Sequence, residues 1–235
     1  MRCVEAMKLV IFDCDGTLVD SQQMICAAMQ NAYATSGLVC PPRERLLSIV
    51  GLSLPEAFRR LAEGAAQPID DLVAQYKHAF HALRLSSADM EPLYPGAREA
   101  VEGLARRADT VLGIATGKSV RGVRMVLGHH GLFEHFATVQ TADTAPSKPH
   151  PGMIQAALRE TGIAPRDVVM IGDTVFDIEM ARAAGVASVG VGWGYHASAD
   201  LSAAGAGTVI ADFAQLPAAL DAAWADAGSA VGADA

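Results

Sequence analysis

Basic residues are scarce. The chain of 235 residues carries 18 Lys and Arg against 26 Asp and Glu, a formal net charge of −8. That deficit argues against nucleic acid or an anionic membrane as a main partner. It leaves room for an anionic small molecule, because one bound cation inverts the local field. Cysteine is sparse too. Cys3, Cys14, Cys26 and Cys40 all fall within the first 40 residues, where they cannot staple the rest of the chain. Their spacings match neither a zinc ribbon nor a C-x-x-C pair, so a reducing, cytoplasmic setting is expected. No apolar run reaches membrane-spanning length. The opening "MRCVEAMKLV" is not expected to be a signal peptide, because Glu5 interrupts its short apolar stretch. No internal repeat is visible.

Apolar residues, in contrast, are plentiful. They make up 51% of the chain, and mean hydropathy is +0.24. The length suits one large domain, or a domain carrying an insert.

"KLVIFD" (8–13) is a short run rich in β-branched and aromatic residues and reads as a buried strand. The next stretch differs. Ser21 to Ala34 is helical in composition, with Asp20 or Ser21 available as N-cap, and "LPEAFRRLAEG" (54–64) also looks helical. Between 69 and 83, Ile69, Leu72, Val73, Tyr76, Phe80 and Leu83 follow helical spacing. Residues 20–88 therefore read as an all-helical insert. From Tyr94 onward helices alternate with strands at 110–116, 136–141, 168–173, 187–193 and 207–212. This pattern predicts an α/β fold: a doubly wound parallel sheet, Rossmann-like, with a helical cap inserted. Residues 1–19 and 89–225 would form the core, and 226–235 a flexible tail.

In open parallel sheets, sites form beyond the carboxyl ends of strands. Asp13, Asp15, Thr116, Asp173 and Asp177 fall at such ends, and Lys148 comes just before a helix. Remote in sequence, they become neighbours once the strands align. Clustered carboxylates suit a hard cation, and Mg²⁺ takes oxygen ligands alongside a phosphate. Asp13, Asp173 and the backbone carbonyl of Asp15 are the candidate ligands, with Asp177 placed to hold a metal-bound water. Thr116 and the N–H groups opening the next helix suit phosphate oxygens, although Thr116 also reads as a plain helix N-cap. Lys148 suits neutralising an attacking carboxylate. Asp13 is a candidate phosphoryl acceptor, and Asp15 a general acid/base.

"DCDGTLVDS", "IATGKS", "SKPHPGMI" and "MIGDTVFDIEMARAAG" resemble the four ordered motifs of the haloacid dehalogenase-like hydrolases. The likeness is greatest to phosphoglycolate-phosphatase-like members with a small helical cap, and it covers residues 8–224. The resemblance implies Asp13 as nucleophile and Asp15 as acid/base. It implies Thr116 and Lys148 as phosphate ligands, with Mg²⁺ on Asp13, Asp15 and Asp173. It implies an aspartyl-phosphate intermediate and a small phosphorylated metabolite as substrate, 2-phosphoglycolate first among them. The enzyme would act as a monomer or homodimer.

Selectivity in such enzymes comes from a cap loop, here "SIVGLSLPE" (48–56). Gly51, Leu52 and Ser53 are its candidate contacts, together with Gly117 and one arginine, Arg45, chosen from Arg43, Arg45, Arg59 and Arg60. A phosphomutase on the same scaffold and a catalytically idle phosphate-binding protein are the alternatives. Against the mutase, Val50, Leu54 and Ile25 are uncharged where relatives of that kind carry cations. Three near misses fail. "GIATGKS" has three residues between its glycines where a P-loop needs four. A C-x5-R loop starting at Cys14 meets Asp20 where arginine is required. "GVGWG" (190–194) lacks dinucleotide spacing. Cys14 is expected to face away from the site, and His129, His130 and His196 to be surface or packing residues.

Overall fold

The computed structural model describes residues 6–86 and 91–230. The expected core–cap boundary at 88/89, Cys3 and residues 231–235 of the expected tail lie outside the described residues.

Six strands form one parallel sheet: β1 (Lys8–Phe12), β2 (Thr110–Thr116), β3 (Phe136–Thr141), β4 (Val168–Gly172), β5 (Ala187–Val191) and β6 (Thr208–Ile210). Their order is β3-β2-β1-β4-β5-β6, the doubly wound arrangement. Alternation along β1 explains why residues 9–12 are all apolar. Val10 and Phe12 pack into one cluster, beneath α5 (Ala97–Ala105), α6 (Val120–His129) and α10 (Leu216–Ala230). Leu9 and Ile11 pack into another, beneath α7 (Gly152–Thr161) and α8 (Val175–Ala184). Each such side chain, removed from water, stabilises the fold by about 1.5–3 kcal/mol before entropy is counted. A short α9 (Ser198–Ala204) follows β5.

The insert has its own apolar centre. α1 (Gln22–Thr35), α2 (Arg43–Leu47), α3 (Leu54–Ala62) and α4 (Ile69–Ser86) meet around Met29, Tyr33, Phe58 and Leu72. α1 and α4 form the main packed pair, and Phe58 stacks edge-on against Tyr76 at 6.3 Å. The two crossings into the core run side by side. Asp20 N–H donates to Pro92 O at 2.8 Å, and Tyr94 N–H to Leu18 O at 3.0 Å.

Three details differ from the expectations. The five residues of α2, entered through Pro41-Pro42, are too few to show a helical period. The last helix runs to Ala230, past the expected end near Trp224, because alanine-rich sequence sustains a helix. Ser21 occupies the N-cap position of α1 but makes no cap hydrogen bond. Its hydroxyl is spent on Asp15.

Candidate active site

Asp13 follows β1 and is anchored by its N–H to Ile171 O at 2.9 Å. Its carboxylate is fully buried, and neither oxygen has a hydrogen-bond partner among the described residues. The nearest cation is Lys148 Nζ, 3.0 Å from Oδ1. Burial pushes the Asp13 carboxyl up to about 6; Lys148 opposes the rise, and the charge of Asp177 adds to it.

Asp173, after β4, faces Asp13. Its Oδ1 accepts from the Thr17 hydroxyl at 2.8 Å and its Oδ2 from Tyr195 N–H at 2.9 Å. Burial raises this carboxyl too, and Asp13 and Asp177 raise it further. Glycines make the close approach possible. A Cβ on Gly194 would lie 2.2 Å from Asp173 Cβ, and one on Gly16 would lie 2.2 Å from Asp173 Oδ2.

Asp177 is buried, not an exposed helix charge. Its Oδ1 accepts from Lys148 Nζ at 2.6 Å. Its Oδ2 accepts from Thr174 N–H at 3.1 Å and from the Thr174 hydroxyl at 2.7 Å, closing a capping box on α8. Asp177 thus ties Lys148 to a helix terminus. Burial alone would lower the Lys148 ammonium; the carboxylates of Asp13 and Asp177 outweigh it and raise the group above its ordinary value.

Oxygens of Asp13, Asp173 and Asp177 all lie within 4.8 Å of one another. The side chain of Asp15 stands apart from that cluster. Lys118 Nζ donates to its Oδ1 at 2.7 Å and its Oδ2 at 2.9 Å, and Ser21 Oγ donates to Oδ1. The expectation of Asp15 as a ligand therefore narrows to its backbone carbonyl. Five carboxylates, of Asp13, Asp15, Glu91, Asp173 and Asp177, stand against three cations, of Arg84, Lys118 and Lys148, an excess that matches one divalent cation. The unbonded oxygens of Asp13 and this all-oxygen donor set fit Mg²⁺.

Thr116 is buried at the end of β2 and accepts from Lys118 N–H at 3.3 Å. It does not cap α6. Ser119 does, accepting from Gly122 N–H at 3.1 Å, while Val120 N–H donates to Asp143 at 2.9 Å. Those two N–H groups are therefore taken, against the expectation that the helix start would serve phosphate.

The cap turn meets the core at Gly117, where a Cβ would lie 2.5 Å from Leu52 O and 2.6 Å from Gly51 O. Ser53 N–H donates to Ser147 Oγ at 2.9 Å. Arg45 does not take part. It pairs with Glu63 on the cap surface and does not line the cavity between cap and core. Arg43 bonds Gln22, and Arg59 and Arg60 pair with Glu56. Proximity to the turn in sequence suggested these arginines; neighbours on the cap, Glu63, Glu56 and the amide of Gln22, claim them.

Sequence reasoning missed Lys118, Glu91 and Arg84. Lys118 is buried between Asp15 and Glu91, 3.1 Å from the latter, and Glu91 pairs with Arg84 at 2.5 Å. The one signal for Lys118 was its place two residues after Thr116. His196 accepts from Val175 N–H at Nδ1, 3.1 Å, which leaves Nε2 to donate to Ser48 O of the cap at 3.2 Å. Cys14 packs in the core below the site, as expected.

Residues 10–191 match the family described as haloacid dehalogenase-like hydrolase. The probable phosphatase IndB of Dickeya dadantii is 34% identical, over 88% of this chain and 91% of its own. A phosphoglycolate phosphatase of Haemophilus influenzae is 31% identical, over 89% of this chain and 96% of its own. The crystal structure of a hydrolase from Pseudomonas syringae superposes with a TM-score of 0.80 at 26% identity, over 92% of this chain and 98% of that one. The order of the strands, the carboxylates at their ends and these likenesses agree: the chain belongs to the haloacid dehalogenase-like hydrolases, as a phosphatase similar to phosphoglycolate phosphatases.

Proposed function

We propose that the protein hydrolyses a small phosphomonoester through an aspartyl-phosphate on Asp13, with Mg²⁺ as cofactor. The carrying observation is the Asp13 carboxylate: fully buried, without a hydrogen bond, and 3.0 Å from the ammonium of Lys148. Lys148 offsets one negative charge there, but Asp173 and Asp177 crowd two more carboxylates against Asp13, which is costly unless a further cation or an electrophile meets them.

In this reading an Asp13 oxygen attacks phosphorus and the ester P–O bond breaks. Asp15 delivers a proton to the leaving alcohol oxygen. Water then attacks the phosphorus of the aspartyl-phosphate, Asp15 takes a proton from that water, and Asp13 is released with inorganic phosphate. Lys148 offsets charge on Asp13 and on the phosphoryl oxygens throughout, held in place by Asp177. Thr116 Oγ and the backbone at Gly117 bind phosphoryl oxygens. Asp13, Asp173 and the Asp15 carbonyl would hold Mg²⁺, with Asp177 reaching it through water. When bound, the ion neutralises and polarises the phosphoryl oxygens.

Two relatives bear on the substrate: one is named a phosphoglycolate phosphatase, the other a probable phosphatase. 2-Phosphoglycolate is the first compound to assay. Hydrolysis is favoured over mutase chemistry. Val50 and Leu54 flank the cap turn without charge, and Arg45 is committed to Glu63, so the turn offers no cation to a second phosphate.

Release of p-nitrophenol from p-nitrophenyl phosphate, with Mg²⁺ and after EDTA, tests the reading. Mg²⁺-dependent release, lost in Asp13→Asn, is expected. Release that ignores both changes would refute it.

A further inference from the structure

We propose that the alcohol portion of the true substrate is bulky and mainly apolar, ring-sized or larger, and sits against the cap helices α1 and α4. This rests on the phosphatase reading above and names the substrate class for that site. Between cap and core lies a cavity of about 300 Å³. It borders Asp15, Thr116 and Gly117, so it opens directly onto the phosphate position. Its walls are Ile25 and Met29 of α1, Leu52 of the cap turn, Tyr76 and Phe80 of α4, and Met125 of α6. A volume of that order sits at the lower end of pockets that enclose drug-sized ligands, roughly 300–1,000 Å³. Glycolate, the smallest hydroxy acid, would leave most of it to water against apolar walls.

Charge points the same way. The cations that enter the cavity lining from buried or largely buried positions are already committed. Lys118 holds Asp15 and Glu91, and Arg84 holds Glu91 at 2.5 Å while stacking on Phe80. Lys77, His81 and Arg121 also border the cavity, but they are solvent-exposed. A short carboxylate beside the phosphate would thus face Met29, Tyr76 and Phe80 without a free buried cation, which is unfavourable. An apolar chain or ring would instead remove those walls from water.

The test is a series of phosphates of primary straight-chain alcohols, from ethyl to octyl, with benzyl phosphate and 2-phosphoglycolate alongside. The alkyl leaving groups share one chemistry, so differences in kcat/KM report the cavity. We expect kcat/KM to rise by up to about fourfold per added methylene until the cavity is filled, with benzyl phosphate well above 2-phosphoglycolate. Met125→Trp, which narrows the cavity from a half-buried wall position, should lower the ratio of octyl to ethyl kcat/KM at least several-fold. A flat or falling alkyl series, or 2-phosphoglycolate as the best substrate, would overturn the inference and leave the phosphatase reading standing. Failure of every ester, p-nitrophenyl phosphate included, would overturn both.

Discussion

Lys118 Nζ lies 2.7 and 2.9 Å from the two carboxylate oxygens of Asp15, so a side chain absent from the expected catalytic set grips the proposed acid/base from the core side. The same ammonium reaches Glu91 at 3.1 Å and rests over the Phe80 ring of α4 at 5.1 Å. Burial alone would lower this lysine, but Asp15 and Glu91 outweigh that effect and hold it above its ordinary value. Lys118 thereby joins Asp15 to the cap and fixes where a proton can be handed over. Replacing it with Met should lower kcat by about 10²-fold, the scale of one misplaced acid/base group, with a smaller change in KM. Lys118→Arg should restore part of the loss. An unchanged kcat in Lys118→Met would show that Asp15 needs no such support. The Met variant should also be less stable by about 3–5 kcal/mol, the usual cost of breaking a buried pair, measurable by urea unfolding.

Gly117 tests the seating of the cap. An added Cβ meets backbone oxygens of Leu52 and Gly51 at 2.5 and 2.6 Å, and backbone cannot swing aside as a flexible side chain would. Gly117→Ala should push the cap turn off the core and weaken the bond from Ser53 N–H to Ser147 Oγ. Turnover should fall at least tenfold while the sheet remains folded, as read by circular dichroism. Wild-type kinetics in Gly117→Ala would mean that the cap turn is not held against the phosphate site during catalysis.

Much of this arrangement was legible because the strands are buried on both faces. Runs such as "TVLGIAT" and "VVMIG" read as central strands, and the polar residue at or just past each end, Thr116 and Asp173, then marks the site. The convergence of Asp13, Lys148 and Asp173 could be anticipated because each sits beside a strand end or just before a helix. Lys118 escaped because its partners, Asp15, Glu91 and Phe80, come from three other places in the chain, and nothing local signals their convergence. Arg45 was drawn in by its nearness to the cap turn, whereas its position is set by Glu63, eighteen residues on. The apolar cavity was equally hidden. Its walls come from α1, α4 and α6, and whether an apolar residue faces a helix neighbour or a cavity is decided by packing.

Metal binding should show in stability as a function of pH. Burial raises Asp13 to about 6 from an ordinary 3.8, and raises Asp173 as well. In the metal-free protein the folded state therefore holds these protons more tightly than the unfolded chain. The stability this provides is fully present below the ordinary value and is lost as pH rises through about 6. Mg²⁺ needs the deprotonated carboxylates, so it should recover that loss. The rise in Tm on adding Mg²⁺ should be larger at about pH 7.5 than at about pH 5. In EDTA, Asp13→Asn should lose less stability than wild type across that interval. A Mg²⁺ effect on Tm that does not vary with pH would count against these carboxylates as ligands.

The most direct measurement is rapid acid quench during turnover, followed by mass spectrometry of the peptide bearing Asp13. The expected result is one phosphoryl group on Asp13, present only while substrate remains and absent in Asp13→Asn, which should also release no phosphate. Continued phosphate release by Asp13→Asn, with no adduct on this peptide in the wild-type enzyme, would contradict the covalent role given to Asp13.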